Sequence, residues 1–122
     1  TVREAAIRMA EHKVGAVLIM ESGRLVGIFT ERDLLNRVVA KRLDPDAAKL
    51  ADVMSGDPRT IQADKPLAHA LVMMDEGGYR HLPVTDGGQV IGMVSARDAL
   101  GCELLEFESE MQRREHLTEI ML

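Results

Sequence analysis

The fold of this protein is decided by a stretch that occurs twice, as Gly23-Arg-Leu-Val-Gly-Ile-Phe-Thr-Glu-Arg-Asp-Leu-Leu35 and as Gly88-Gln-Val-Ile-Gly-Met-Val-Ser-Ala-Arg-Asp-Ala-Leu100. One offset relates the two copies, since Gly92 follows Gly27 by 65 positions (92 − 27 = 65). Each copy ends an apolar run with the same polar cluster, Thr-x-Arg-Asp or Ser-x-Arg-Asp. An internal repeat of this kind indicates two copies of one supersecondary unit.

The match extends upstream without a gap, so that residues 2–10 align with 67–75 and residues 14–20 with 79–85. The second copy also has a lead segment, residues 53–61, whose counterpart in the first copy would fall before Thr1. We therefore expect the given sequence to begin inside the first repeat. The predicted organisation is a first repeat over 1–45, a second repeat over 46–103 and a helical tail over 104–122.

Composition limits the class of protein. A chain of 122 residues suits one domain, and since a lone core is marginal in a half of about 60 residues, we expect the two halves to share one core. Aromatic residues are only 2% and the net charge is −5, which disfavours both single-stranded and duplex nucleic acid as partners. Cys102 is the single cysteine, and no apolar run approaches the roughly 20 residues of a membrane span. We expect a cytoplasmic protein with no membrane partner.

Hydrophobic periodicity predicts the order β-α-β-β-α for each repeat. In the first repeat it predicts a helix over 2–10, a β-hairpin over 16–20 and 25–29, and a helix capped by Thr30 that runs to about residue 40. In the second repeat Asp64 is expected to cap a helix with Pro66 in its first turn, strands are expected at 81–85 and 89–94, and Ser95 is expected to cap the next helix. The predicted fold class is α/β, with two repeats packed in pseudo-twofold symmetry and a C-terminal helix.

The tail beyond the second repeat has an apolar stripe at helical spacing, formed by Leu100, Leu104, Phe107 and Met111. Two interpretations of this stripe stay open. It packs on its own module, or it contacts a second subunit.

The repeated polar cluster has two interpretations as well. Thr30 or Ser95 with an acid three residues later is close to a capping box, in which the two side chains satisfy backbone N–H groups of a helix start. Alternatively, the hydroxyl binds a phosphate at the helix start, and the carboxylate of Asp33 or Asp98 accepts both hydroxyl protons of a ribose. The use of Asp rather than the longer Glu, and an Arg before each Asp, favour this nucleoside-phosphate interpretation.

A second polar group, Arg80 and His81, opens a strand in an otherwise apolar hairpin. Adjacent strand residues face opposite sides, so at most one of them need point into a given cleft. A solvated strand end is one interpretation of this pair. The other is an anion pocket, because local positive charge stands out in an acidic chain.

The motifs together resemble the cystathionine β-synthase (CBS) domain, and the chain resembles a tandem CBS pair, or Bateman module. The resemblance covers Thr1 to about Glu103 and is carried by Gly27-Ile-Phe-Thr-Glu-Arg-Asp33, Gly92-Met-Val-Ser-Ala-Arg-Asp98, Val53-Met-Ser55, Arg59-Thr-Ile61 and Arg80-His-Leu-Pro-Val84. It implies an adenine-nucleotide sensor whose ligand binds in clefts between the repeats, with AMP expected first and then ATP, ADP or NAD(H). It also implies a homodimer.

The resemblance implies roles for individual residues. Ser95 and Asp98 would hold phosphate and ribose, Thr60 and Ile61 would line the adenine, and Arg80 or His81 would reach the phosphates. In the first repeat Gly15-Ala16 replaces the Arg-His pair and the adenine strand lies outside the sequence, so the first cleft would suit a different nucleotide or none. The expected ligand residues are Thr60, Ile61, Arg80, His81, Leu82, Pro83, Ser95, Arg97 and Asp98 in the second repeat, and Gly15, Ala16, Val17, Thr30, Arg32 and Asp33 in the first.

Neither a catalytic set nor a metal site is predicted. Cys102 has no matching His, and His12, His69, His81 and His116 lack the spacing of zinc ligands. We therefore expect a regulatory module that is not an enzyme. The alternatives are an interaction module with vestigial clefts, or the regulatory segment of a larger enzyme or transporter.

Overall fold

The computed structural model describes residues 1–98, which divide between two compact units. The first unit comprises residues 1–60 together with 87–90, and the described part of the second comprises 61–86 together with 91–98. Each unit contains a three-stranded sheet and helices, which confirms the predicted mixed α/β class. Two features noted in the sequence lie outside the described residues. They are the apolar stripe at Leu100, Leu104, Phe107 and Met111, and the single cysteine Cys102.

The first unit opens with helix α1 (Val2–His12), which begins at a capping box. The Oγ1 atom of Thr1 accepts a hydrogen bond from the N–H of Glu4 at 3.3 Å, and the Glu4 carboxylate accepts one from the Thr1 amino group at 3.2 Å. The helix buries Val2, Ala5 and Met9, which are three and four positions apart and so share one face. The predicted helix over 2–10 is therefore confirmed.

A hairpin follows, with strand β1 (Ala16–Glu21) antiparallel to strand β2 (Arg24–Thr30). The two turn residues between them, Ser22 and Gly23, both have positive φ (51° and 77°), which is the geometry of a two-residue type I′ turn. A short third strand, β3 (Ser55–Gly56), pairs with β2 on its other side, so the order in the sheet is β1-β2-β3. The lead segment of the second sequence repeat thus completes the sheet of the first unit.

Helix α2 (Glu31–Asp33) follows β2 directly and continues as a π-helical segment, Leu34–Val39. The predicted helix, capped by Thr30 and running to about residue 40, is confirmed in its extent, and the structure adds that its second part is π-helical. The N–H of Ala40 donates to the carbonyl of Leu35 at 2.9 Å, five residues back rather than four. In this π-helical segment Val38 is completely buried, whereas Leu35 and Val39 are exposed.

The chain then returns to α1 before helix α3 (Leu50–Val53). The N–H of Arg3 donates to the carbonyl of Pro45 at 3.0 Å, and its exposed guanidinium is hydrogen-bonded to Asp46, which raises the pKa of Arg3. The core of the unit is aliphatic apart from one ring, with Val2, Ala5, Met9, Phe29, Val38 and Val53 buried together.

The second unit contains strand β4 (Ile61–Gln62), helix α4 (Leu67–Gly77), strand β5 (His81–Asp86) and strand β6 (Gln89–Ser95), with the sheet order β4-β5-β6. Strand β4 runs parallel to β5, as expected when a helix connects them. Its core consists of Ile61, Ala70, Met74 and Leu82. No helix of the described residues is long and apolar enough to cross a membrane.

The expectation that Asp64 caps helix α4 is wrong. The N-cap is Pro66, in an extended conformation (φ −70°, ψ 155°), and no side chain caps the helix there. A cap at Asp64 would require Lys65 to be helical, and the residue before a proline is driven away from the helical region. The helix ends at Gly78, whose positive φ of 70° suits a glycine cap.

Candidate functional site

The polar cluster of the second copy lies where β6 ends and the chain turns into a helical segment. The N–H of Asp98 donates to the Oγ atom of Ser95 at 3.0 Å, which confirms Ser95 as the capping residue. Ser95 is half-buried, whereas Arg97 and Asp98 are exposed. Within residues 1–98 the Asp98 carboxylate has neither a hydrogen-bond donor nor an ion-pair partner. As far as residues 1–98 are concerned, both of its oxygens can accept hydrogen bonds from a ligand.

Arg80 lies directly beside this cluster. The N–H of Ala96 donates to the carbonyl of Arg80 at 2.8 Å, so the start of β5 is held against the end of β6. The Arg80 side chain is exposed, His81 is half-buried, and Leu82 and Pro83 are buried. The structure therefore places the Arg80 backbone next to Ser95, and Leu82 packs in the core of the unit.

The predicted adenine-lining residues are at the other edge of the same sheet. Ile61 pairs with Val84 across the parallel ladder and packs in one cluster with Leu82, at 6% exposure. Thr60 precedes this strand and is exposed. Because the Ile61 side chain is in the core, contact between Ile61 and a ligand would have to use its main chain. The adenine role of both residues stays a prediction.

The first copy repeats the backbone frame of the second. The N–H of Glu31 donates to the carbonyl of Gly15 at 2.9 Å, and both residues are 65 positions before Ala96 and Arg80 (96 − 31 = 65, 80 − 15 = 65). In the hairpin register Ala16 lies opposite Thr30, and Val17 lies opposite Phe29. Gly15, Ala16 and Thr30 are therefore neighbours in the first copy, and Gly15 occupies the position that Arg80 has in the second copy.

The carboxylate of the first copy is engaged inside the protein. Asp33 Oδ2 accepts a hydrogen bond from the Thr30 N–H at 3.0 Å, and Thr30 Oγ1 accepts one from the Asp33 N–H at 3.1 Å. This is a complete capping box, and Asp33 is only 8% exposed. For the first copy the capping interpretation is therefore confirmed, even though the acid is Asp rather than Glu.

Arg37, which is not among the predicted site residues, forms an ion pair with the second oxygen of the Asp33 carboxylate. Its Nε lies 3.6 Å from Asp33 Oδ1, and its Nη1 donates to the carbonyls of Val53 at 3.3 Å and Met54 at 3.0 Å. Arg37 thus joins the motif of the first copy to the end of helix α3. The sequence does contain a signal for this contact, because an acid and a base four positions apart meet on a helix.

The two copies of one motif therefore differ in their chemistry. In the first copy the acid is buried, capped and paired, and Arg32 beside it is exposed. In the second copy the acid and Arg97 are both exposed, with the Arg80 backbone alongside. A free carboxylate can accept two neighbouring hydroxyl protons, and a nearby guanidinium can donate to an anion. Only the second copy offers that combination among the described residues.

Comparison with protein families identifies the repeat. The model of the CBS domain matches two segments of the chain, residues 1–40 and 50–103. The chain belongs to the CBS-domain family. The two matched segments agree with the two copies of the Thr/Ser-x-Arg-Asp repeat, and the resemblance found in the sequence is confirmed.

Relatives with similar sequences include an uncharacterized protein of Methanopyrus kandleri, 36% identical over 93% of this chain and 60% of its own length. A CBS domain-containing protein of Arabidopsis thaliana is 33% identical over 93% of this chain and 21% of its own length. The chain therefore spans between about one fifth and three fifths of these two relatives.

Solved structures of CBS proteins have the same fold. A CBS-domain protein of Burkholderia ambifaria proposed to act in signal transduction superposes with a TM-score of 0.81 at 32% identity, covering 85% of this chain and 76% of that one. A CBS domain protein of Pyrobaculum aerophilum, solved in complex with AMP, superposes with a TM-score of 0.74 at 32% identity, covering 80% of this chain and 76% of that one.

Proposed function

We propose that this chain is a regulatory module that binds an adenine nucleotide, with AMP as the first candidate and ATP, ADP or NAD(H) as alternatives. The observation that carries the proposal is the exposed Asp98 carboxylate beside Ser95 and Arg80, in a family member whose Pyrobaculum relative was solved with AMP. We propose further that the module is not an enzyme, in line with the signal-transduction role proposed for the Burkholderia protein, and that it acts in the cytoplasm.

The assignment of roles follows from hydrogen-bonding chemistry. A ribose presents two adjacent hydroxyl donors, and a carboxylate is an acceptor with two oxygens, so Asp98 suits the sugar. The Ser95 hydroxyl still has its own proton after accepting from Asp98, and can donate it to a phosphate oxygen. The guanidinium of Arg80 would neutralise the phosphate and can bind it through two parallel hydrogen bonds. Thr60 and the Ile61 main chain are proposed to line the adenine.

We propose that the second copy is the principal site and the first copy a weak one. Asp33 would have to give up the Thr30 N–H and the Arg37 guanidinium before it could accept a ribose diol. A phosphate at the first copy would also meet Gly15 and Ala16 where the second copy offers Arg80 and His81. We therefore propose only a secondary site in the first copy. Its residues would be Gly15, Ala16, Val17, Thr30, Arg32 and Asp33.

Titration calorimetry with AMP tests the proposal. Asp98→Asn is expected to weaken binding by roughly 1.5–3 kcal/mol, the range for a lost charged hydrogen bond, or about 10- to 150-fold in Kd. Asp75→Asn is the matched control, because Asp75 is an exposed aspartate on helix α4 and removes the same charge elsewhere. Equal affinity of the two variants would show that Asp98 does not bind the ligand, and no heat with any of the adenine nucleotides would refute the function.

A second function, association with a partner subunit, is supported by a separate observation. Leu35 and Val39 in the π-helical segment are 60% and 61% exposed, and they extend one apolar strip beyond the motif of the first copy. We propose that this strip lies in a homodimer contact, since twofold dimers are the commonest closed assembly. Light scattering at micromolar concentration tests it, and a monomer mass would refute it.

A further inference from the structure

The motif of the first copy has one carboxylate oxygen that its helix cap does not use. Asp33 Oδ2 accepts a hydrogen bond from the Thr30 N–H at 3.0 Å, which leaves Oδ1 as the oxygen that could accept a hydroxyl of a ligand. Oδ1 lies 3.6 Å from the Nε atom of Arg37. The side chain of Asp33 is 11% exposed and that of Arg37 is 50% exposed, so the two groups meet at the surface of the first unit.

The position of the Arg37 guanidinium is set by groups other than the carboxylate. Its Nη1 atom donates to the carbonyls of Val53 at 3.3 Å and Met54 at 3.0 Å. Met54 is followed directly by β3, which pairs with β2, and β2 ends at Thr30, the residue that caps the motif. The acceptors of Arg37 are thus attached to the same sheet as the motif itself. The guanidinium is therefore held beside Asp33 by the fold as well as by the attraction of opposite charges.

A guanidinium at this position opposes a ligand hydroxyl in two ways. A hydroxyl oxygen needs roughly 2.7 Å to each hydrogen-bond partner, so none can enter between two atoms that are 3.6 Å apart. The positive charge also offsets the charge of the carboxylate, which would otherwise strengthen a hydrogen bond from the ligand. Asp33 can therefore accept a hydroxyl at Oδ1 only when Arg37 moves away.

The sequence of the second copy differs at this spacing. Arg37 follows Asp33 by four positions (37 − 33 = 4), and the residue four positions after Asp98 is Cys102 (102 − 98 = 4). The second motif therefore has no cation at this place in the sequence, although the hydroxyl, arginine and aspartate of the motif are the same. A residue outside the motif thus distinguishes the two copies.

We infer that Arg37 is a built-in competitor for the ligand at the first copy, and that it keeps Asp33 from accepting a hydroxyl of a nucleotide sugar. The affinity of the secondary site is then set by Arg37 and not by the Thr-x-Arg-Asp motif. This inference rests on the proposed nucleotide binding, because the excluded ligand is of the same class. Loss of the positive charge should convert the secondary site into a stronger one.

Titration calorimetry with AMP tests the inference in the full chain carrying Asp98→Ala, which removes the principal site. Adding Arg37→Gln keeps an N–H donor for the two carbonyls but removes the charge, and it should tighten binding by about fivefold or more, the factor expected when a competing exposed ion pair is lost. Adding Arg37→Lys keeps the charge and should give no gain. Arg8→Gln is the matched control, because Arg8 is an exposed arginine on helix α1.

The outcomes separate this inference from the proposed function. Equal affinity with and without Arg37→Gln would overturn the inference, and so would an equal gain with Arg37→Lys or Arg8→Gln. Adding Asp33→Asn should abolish the gain, and a gain that persists would mean that Arg37 does not act through Asp33, which also overturns it. If the native chain gives no heat with AMP but the Arg37→Gln chain does, the principal site is wrong and the inference holds. No heat from any of these chains would overturn both.

Discussion

We expect substitution of Asp33 to reduce mainly the stability of the fold, and substitution of Asp98 to reduce mainly ligand binding. Asp33→Ala removes the acceptor of the part-buried Thr30 N–H, whose hydrogen bond is 3.0 Å long. It also removes the partner of Arg37, which is half exposed. Asp98→Ala removes a carboxylate that makes neither a hydrogen bond nor an ion pair among residues 1–98. The stability loss should therefore be confined to the first copy.

The size of the loss follows from these contacts. An unsatisfied buried N–H costs about 1–3 kcal/mol, and the loss of an acid from the first helical turn adds about 0.3–1 kcal/mol. The Arg37 pair adds less than about 1 kcal/mol, because its guanidinium is in contact with water. Asp33→Ala should then lower the free energy of unfolding by roughly 2–4 kcal/mol, whereas an exposed substitution such as Asp98→Ala should change it by about 0.5 kcal/mol or less.

Urea denaturation followed by far-ultraviolet circular dichroism measures this difference. The midpoint should fall for Asp33→Ala and stay near the native value for Asp98→Ala, with similar slopes for all three proteins. Calorimetry on the folded variants should give the reverse order for AMP. Equal losses of stability would refute the assignment of Asp33 to the helix cap, and an intact AMP affinity for Asp98→Ala would refute the assignment of Asp98 to the ligand.

Three further changes test other parts of the structure. Arg80→Ala should weaken AMP binding much more than adenosine binding, because its proposed contact is with phosphate, and calorimetry that shows equal losses would contradict that role. Val39→Glu should convert a dimer to a monomer in light scattering, because it buries a charge in the proposed contact, whereas a Val72→Glu control on exposed α4 surface should leave the mass unchanged. Leu82→Ala should lower the free energy of unfolding by about 2–5 kcal/mol in urea titrations, since Leu82 is fully buried, and a shift below about 1 kcal/mol would mean that the β5 core is misassigned.

Much of the fold could be predicted from the repeat alone. Local patterns predict these features. Alternation of apolar residues predicts the hairpins, a turn dipeptide predicts the turn at Ser22 and Gly23, and a hydroxyl before a helix predicts the capping roles of Thr30 and Ser95. The family follows from the same motifs in order, and the match to the CBS domain confirms it. The repeat boundary at 45 and 46, the tail helix and the ligand role of each site residue stay predictions.

What the sequence did not predict depends on contacts between distant residues or on competition between local signals. The π-helical pattern at Leu34–Val39 has no local signature, because apolar spacing predicts a helix but not its hydrogen-bond pattern. The capping function of Asp33 could not be separated from ligand binding, because the same residues at the same spacing serve both. The difference between Asp33 and Asp98 depends on Arg37, whose acceptors are 16 and 17 positions away on the carbonyls of Val53 and Met54.

The pairing of β3 with β2 has a consequence for any attempt to divide this chain. The boundaries of the sequence repeat and of the folded unit differ, because Ser55 and Gly56 belong to the lead segment of the second repeat yet complete the first sheet. A fragment that stopped at residue 45 would lose that strand, the carbonyls held by Arg37 and the buried Val53. It would also expose a long strand edge, which invites aggregation. A protease product or gene fragment that keeps these contacts must therefore extend at least through Gly56.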